Sequence, residues 1–406
     1  MLRMLLLAVL GAGAAAGEPD RRDFGKPWER HIVDDASKGA DGVKLADTHG
    51  DGLLDIATGW EEGAEIRVCL NPGPAQARLK WPAVRVGKVR DPEDAVFVDL
   101  DGDGSLDVVS CCEGKTRTVY LHFGPKDKGK CLDEQAWTTV ALPASVGLTR
   151  WMFCVPAQVD GKYGLDLICG SKETGGQIGW FESPQDPRKA DDWRWHSLRA
   201  AGWVMSLVWV DMNGDGQPDI LFSDRYGPRR GVYWLENPGR GADLARPWKE
   251  HAVGATDREA MFLTQADLDG DGLRDVIVPA KPKDLLWLRR LDKSGDRWET
   301  RTIRIPEESA RTKGVNAADL DGDGCIELVF SCEGAGGGSG RSGIMWLKYR
   351  NAPTDQAWEA HDIAGTKGIK YDLVELIDMD GDGDLDVLTT EEREINAVVW
   401  YENPAK

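Results

Sequence analysis

The chain has 406 residues, with 50 Lys and Arg against 69 Asp and Glu, and a net charge of -19. That balance excludes nucleic-acid binding, which needs clustered basic side chains. Two readings of the acidity remain, a solvated acidic surface or a set of cation sites.

In chain order, residues 1–17 read as a secretory signal: Arg3, an apolar run over residues 4–10, and small residues before a cleavage point near Ala16 or Gly17. The apolar run is too short to span a bilayer, and no later segment has transmembrane character. A lead-in over residues 18–27 precedes a single repetitive domain over residues 28–406. The mature protein is expected to be secreted or periplasmic. Eight cysteines without Cys-x-x-Cys spacing exclude both a disulfide-dense fold and a zinc site.

After the phrase "WERHIV" at 28, one nine-residue phrase occurs seven times, as "DTHGDGLLD" (47), "DLDGDGSLD" (99), "QVDGKYGLD" (158), "DMNGDGQPD" (211), "DLDGDGLRD" (267), "DLDGDGCIE" (319) and "DMDGDGDLD" (378). The spacing is 52–59 residues, the length of a four-stranded unit. Short β-branched runs flank each copy, such as "AVFV" at 95 and "DVVS" at 107, and predict a hairpin. A third run carries a Trp, as in "IGWFESP" (178) and "VYWLENP" (232). A fourth follows a polar turn, as in "WRWHSL" (193) and "WKEHAV" (248). Helical periodicity is nearly absent. The expectation is an all-β, seven-bladed β-propeller of four-stranded blades. The last unit lacks a fourth run and "WERHIV" lacks a unit, so the N-terminal strand is expected to close the ring by joining the last blade.

Oxygens at loop positions 1, 3, 5 and 9, with a backbone carbonyl near position 7, suit the six to eight oxygen ligands of Ca2+. Glycines at positions 4 and 6 permit the tight turn. A helix-flanked EF-hand loop is excluded, because position 12 holds Ser110, Phe222 or Val278 inside a strand. The predicted ligand sets are Asp99, Asp101, Asp103 and Asp107; Asp211, Asn213, Asp215 and Asp219; Asp267, Asp269, Asp271 and Asp275; Asp319, Asp321, Asp323 and Glu327; and Asp378, Asp380, Asp382 and Asp386. These five loops imply about five ions. A sixth, at Asp47, Asp51 and Asp55, is weakened by His49 at position 3. The third loop places Lys162 at position 5 and is expected to be metal-free, with a Cys154–Cys169 disulfide bracing its hairpin.

Seven Asp-x-Asp-Gly-Asp-Gly-x-x-Asp loops on this period resemble the FG-GAP/VCBS-repeat β-propellers, which include integrin α-subunit heads, over about residues 24–406. The resemblance implies calcium loops that join the first and second strands of each blade on one face. It does not imply a chemistry. The paired "W-x-x-H-x-I/V" and "WYENP" phrases are also similar to the propeller of fungal aldos-2-ulose dehydratases, whose additional cupin-like domains this sequence does not contain.

No catalytic signature is present: G-x-S-x-G, H-E-x-x-H and a P-loop are all missing. His31, His196, His251 and His361 share an outer-strand position in different blades and should not converge. A ligand site is expected at the channel mouth opposite the calcium loops, drawing on Arg90, Arg150, Glu173, Arg225, Arg258, Glu333 and Glu391. Lys44, Thr264, Asn316 and Glu375 are expected along the channel. The expected function is a binding or adhesion module for a saccharide or a cell-surface protein. The alternative is a carbohydrate-active lyase or dehydratase at the same mouth. Oligomeric state stays open.

Overall fold

The computed structural model describes residues 25–404. The predicted signal segment lies outside the described residues. Strand β1 (Glu29–Asp34) comes first. Blade 1 follows as β2 (Ala40–Ala46), β3 (Asp55–Trp60), β4 (Glu65–Cys69) and β5 (Ala83–Gly87). Blade 2 is β6 (Pro92–Val98), β7 (Asp107–Cys112), β8 (Thr118–Phe123) and β9 (Thr138–Ala141). Blade 3 is β10 (Arg150–Ala157), β11 (Asp166–Lys172), β12 (Gln177–Glu182) and β13 (Arg194–Ala200). Blade 4 is β14 (Val204–Val210), β15 (Asp219–Asp224), β16 (Gly231–Glu236) and β17 (Lys249–Gly254).

Blade 5 splits its first strand into β18 (Glu259–Ala260) and β19 (Thr264–Ala266), then adds β20 (Asp275–Lys281), β21 (Asp284–Arg290) and β22 (Trp298–Arg304). Blade 6 is β23 (Arg311–Ala318), β24 (Glu327–Glu333), β25 (Ile344–Lys348) and β26 (Glu359–Asp362). Blade 7 is β27 (Tyr371–Ile377), β28 (Asp386–Glu391) and β29 (Ala397–Glu402), completed by β1.

The fold is therefore the expected ring of seven antiparallel sheets. Closure is as expected too: β1 pairs with β29, with His31 opposite Trp400 and Ile32 opposite Val399. Second strands such as β3, β7 and β28 are buried along their whole length. Each is flanked by strands on both edges and by blades on both faces, which encloses even polar side chains such as Thr389 and Thr390 of β28.

The core is distributed over the seams. One apolar cluster fills each junction, from blades 1 and 2 around to blades 7 and 1. Tryptophans fasten three of these seams. The Ala77 carbonyl accepts from Trp81 of its own blade (3.1 Å) and Trp400 of blade 7 (3.3 Å). Leu244 accepts from Trp248 (3.1 Å) and Trp180 (3.2 Å), and Gly295 from Trp298 (2.8 Å) and Trp234 (3.3 Å). The junction of blades 5 and 6 departs from this pattern. There Trp287 donates to Asp275 instead (2.8 Å), and the Trp358 indole N–H has no acceptor.

One expectation is corrected. Cys154 and Cys169 stand directly opposite in the β10–β11 ladder, but both are free thiols, as are the other six cysteines. The pair is packed with Cys111 of blade 2 inside an apolar cluster, so the three sulfurs serve as small core side chains.

Candidate functional site

Two faces of the ring carry chemistry. On the first, the seven repeated loops each join the first and second strands of a blade. In the first, second, fourth and seventh loops the position-1 carboxylate closes the turn by accepting backbone N–H groups from positions 4 and 6. Asp99 accepts from Gly102 (2.8 Å) and Gly104 (3.1 Å), Asp211 from Gly214 (2.7 Å) and Gly216 (2.9 Å), and Asp378 from Gly381 (2.7 Å) and Gly383 (3.1 Å). Those glycines hold left-handed backbone, such as Gly102 at φ 72° and Gly104 at φ 86°. The position-5 carboxylates each accept the position-7 amide, as in Asp103 from Ser105 (2.9 Å) and Asp215 from Gln217 (2.7 Å).

In every loop but the sixth, the position-9 acid is a buried latch between the loop and the end of the third strand. Asp107 accepts from Leu100 (3.0 Å) and Gly124 (2.8 Å), Asp219 from Met212 and Asn237 (both 2.8 Å), and Asp386 from Met379 and Asn403 (both 2.8 Å). Burial pushes Asp107, Glu327 and Asp386 up to about 7, and Asp166, Asp219 and Asp275 up to about 6. A divalent cation beside these groups would favour their ionised form.

The donor sets fit a hard cation. Carboxylate oxygens of Asp99, Asp101 and Asp107 lie within 4.8 Å of one another. In the sixth loop Asp319 Oδ1 and Glu327 Oε1 are buried without a hydrogen-bond partner, and the nearest cation to Glu327 is Lys348 at 3.9 Å. Basic side chains already reach several loops: Arg188 to Asp101, Arg289 to Asp269, Lys348 to Asp321 and Asp323, and Arg78 to Asp380. In the first loop His49 lies between Asp51 (2.9 Å) and Asp55 (3.0 Å). In the third loop the Gln158 amide donates to the Lys162 and Gly164 carbonyls (both 2.8 Å), and Lys162 pairs with Asp160 (2.7 Å). That loop therefore keeps its shape with a resident ammonium group.

The second face is the axial mouth. Six of the seven first strands are irregular near their start, where register shifts fall between Asp41 and Lys44, Pro92 and Asp94, Trp151 and Phe153, Val204 and Ser206, Thr312 and Val315, and Tyr371 and Val374. Blade 5 breaks its strand at the same level. A bulge re-aims side chains that a regular strand would send into the sheet faces. Here the irregular segments bring Asp41, Glu93, Met152, Met205, Met261, Lys313 and Asp372 to one cavity of about 310 Å3. Residues at or just after the ends of the second strands complete it, among them Glu61, Glu113, Lys172, Arg225, Glu333 and Arg393.

The cavity has two halves. Met152, Phe153, Met205, Met261 and Phe262 form one apolar cluster from blades 3, 4 and 5. The other half is charged. Lys172 lies between Glu93 (2.9 Å) and Glu113. Lys313 pairs with Asp372 (2.5 Å) and Glu392 (3.2 Å), and Lys370 also reaches Glu392. Burial and neighbouring acids raise Glu93 to about 7 and Glu392 to about 8, while Lys313 holds Asp372 well below the usual carboxylate range.

Of the residues expected at the mouth, Arg225 and Glu333 line the cavity. Arg150 and Glu173 pair with each other away from it, and Arg258 pairs with Asp284. Arg90 is exposed on the surface. Glu391 is buried and accepts the amides of Ile369 (2.8 Å) and Lys370 (3.0 Å). Sequence reasoning missed Asp41, Glu93, Lys172, Lys313 and Asp372. The available signal was position: each is a charged residue at the start of a first strand or the end of a second one, the ends that face away from the repeated loops. Deeper in the channel Lys44 approaches Asp94 (4.0 Å), and Thr264 donates to Asn316 (3.2 Å). The outer-strand histidines remain apart: His31 bonds Glu402 (2.8 Å), His196 bonds Glu182 (2.9 Å), His251 bonds Glu236 (2.7 Å), and His361 stacks on Trp346.

Among the described residues no helix is long and apolar enough to cross a membrane. The FG-GAP-like repeat family matches residues 47–110 and 267–330. No curated protein matches the chain. Two crystal structures of BBS1N in complex with ARL6DN, one soaked with lead and one with mercury, share the fold. The first has a TM-score of 0.56 at 10% identity, over 93% of this chain and 96% of that one. The second has a TM-score of 0.54 at 10% identity, over 93% and 97%. The chain is a seven-bladed β-propeller that carries FG-GAP-like repeats.

Proposed function

We propose that the protein is an exported, calcium-stabilised binding module that takes a saccharide or a cell-surface partner at the axial mouth. The observation that carries this reading is the cavity of about 310 Å3 itself, into which buried charged side chains converge from several blades. Concave sites with a few convergent polar groups are where small ligands bind, and buried titratable groups cluster at functional sites. Calcium in the second, fourth, fifth, sixth and seventh loops, with a weaker site at the first, would neutralise the self-repelling carboxylates on the opposite face. The basic side chains now at those loops would move aside.

A second reading, a lyase or dehydratase at the same mouth, is favoured by Glu93 and Glu392. Their near-neutral ionisation and the adjacent Lys172 and Lys370 suit general acid–base work. The test is a thermal-shift screen of the calcium-loaded protein against mono- and oligosaccharides, repeated after chelation. The proposal expects calcium to raise the melting temperature and a subset of sugars to raise it further. A flat panel in both states would contradict saccharide binding, and insensitivity to chelation would contradict the calcium assignment.

A further inference from the structure

We infer that the mouth ligand carries a positively charged nitrogen, which makes it an organic ammonium compound such as an amino sugar. This inference rests on the reading that the mouth is the binding site. It starts from the distribution of charge around the cavity. Glu93 and Glu113 share Lys172, Asp372 and Glu392 share Lys313, and Glu333 holds Lys281. Two lining carboxylates, Asp41 and Glu61, have no ion pair with any described residue, and both belong to blade 1.

Asp41 is only 8% exposed. Its close neighbours are the carboxylates of Asp372 and Glu392, with oxygens of all three within 4.8 Å. Glu61 is grouped in the same way with Glu93 and Glu113. The two acidic groups meet at blade 1, and the lysines stand to either side. Lys313 and Lys370 act on Asp41 only from beyond ion-pair distance, and burial beside two acids holds its carboxyl well above the usual range, so an ammonium group placed against it would favour the ionised form.

The opposite wall selects the kind of cation. Met152, Met205, Met261, Phe153 and Phe262 give a hydrated metal ion no ligand oxygens. Thioether sulfur and aromatic faces do favour an organic cation. The protein's own ammonium groups already adopt such positions, with Lys172 Nζ 4.3 Å from the Trp203 ring centroid and Lys313 Nζ 5.8 Å from that of Phe262. A ligand with its ammonium group at Asp41 and Glu61 and its carbon body against the methionines would meet both halves.

The experiment is calorimetric titration of the calcium-loaded full chain with three matched pairs: glucosamine and glucose, galactosamine and galactose, cyclohexylamine and cyclohexanol. At least one amine should bind tenfold or more tightly than its hydroxyl twin. Asp41→Asn should erase that preference while melting at or above the wild-type temperature, because it removes repulsion without removing volume. Equal affinity within every pair, or a preference that survives in both Asp41→Asn and Glu61→Gln, would overturn the ammonium inference and leave the mouth as a site. Absence of any binding by all six compounds and by the saccharide panel would overturn both.

Discussion

His122 illustrates how a single titratable group is fixed by its surroundings. Its ring is fully buried between Ser110 (2.8 Å) and Thr139 (2.9 Å), and burial lowers it to about 3. The unfolded chain protonates this imidazole near pH 6.5 and the folded chain does not. Its contribution to stability is therefore complete above about pH 6.5 and is lost as pH falls toward about 3. Across that window the wild type should lose up to about 1.4 kcal/mol per pH unit more than His122→Gln. Urea unfolding of both proteins at pH 7, 6 and 5 measures this, and parallel acid limbs would contradict it. Tyr163 adapts to a backbone that usually demands glycine. It occupies position 6 of the third loop, where the other loops have glycine, and still holds φ 34°. The sequence shows this substitution plainly, but not that the turn survives it.

Among the elements, the loops and strands were the most legible part of the molecule. The nine-residue phrase locates both flanking strands, and the Trp-bearing phrases locate the third and fourth. Two features were not legible. The first is the latch made by the position-9 acid. Read alone, Asp107 is a cation ligand, yet its two oxygens also accept the Leu100 and Gly124 amides. A partner 17 residues away cannot be read from a local motif. The metal-free third loop isolates that structural role, because Asp166 makes the same bonds to Val159 (2.9 Å) and Ser183 (2.8 Å). Asp166→Asn turns one acceptor into a donor facing a donor and should cost roughly 1–3 kcal/mol, equally with and without calcium. Asp107→Asn should cost more with calcium present than without it. Denaturant titrations of both variants in calcium and in chelator decide the matter; a calcium-dependent cost for Asp166→Asn would contradict the assignment. The second feature is the irregularity of the first strands. Side-chain alternation changes at a bulge, so Glu93, Lys313 and Asp372 could not be placed at the mouth by counting along a regular strand.

For the molecule as a whole, ring closure gives every blade two neighbours. The β1–β29 pairing leaves the closing blade four-stranded like the others, and Trp400 joins it to blade 1 through Ala77. The architecture was legible because seven copies of one unit admit few arrangements, and the orphan "WERHIV" phrase states the closure. The ligand face was legible only in outline: Arg225 and Glu333 were found, whereas Asp41 and Lys172 emerge only when the blades are assembled around the axis. On the proposed reading the two faces divide the labour, with cation loops on one side and the ligand at the axial mouth on the other. The most direct test is hydrogen–deuterium exchange of the calcium-loaded protein, with and without the best compound from the saccharide screen. The account predicts slowed exchange in the segments around Asp41, Glu93, Lys313 and Asp372, with the seven loops unchanged. Slowed exchange confined to the loops or to the outer strands would contradict it.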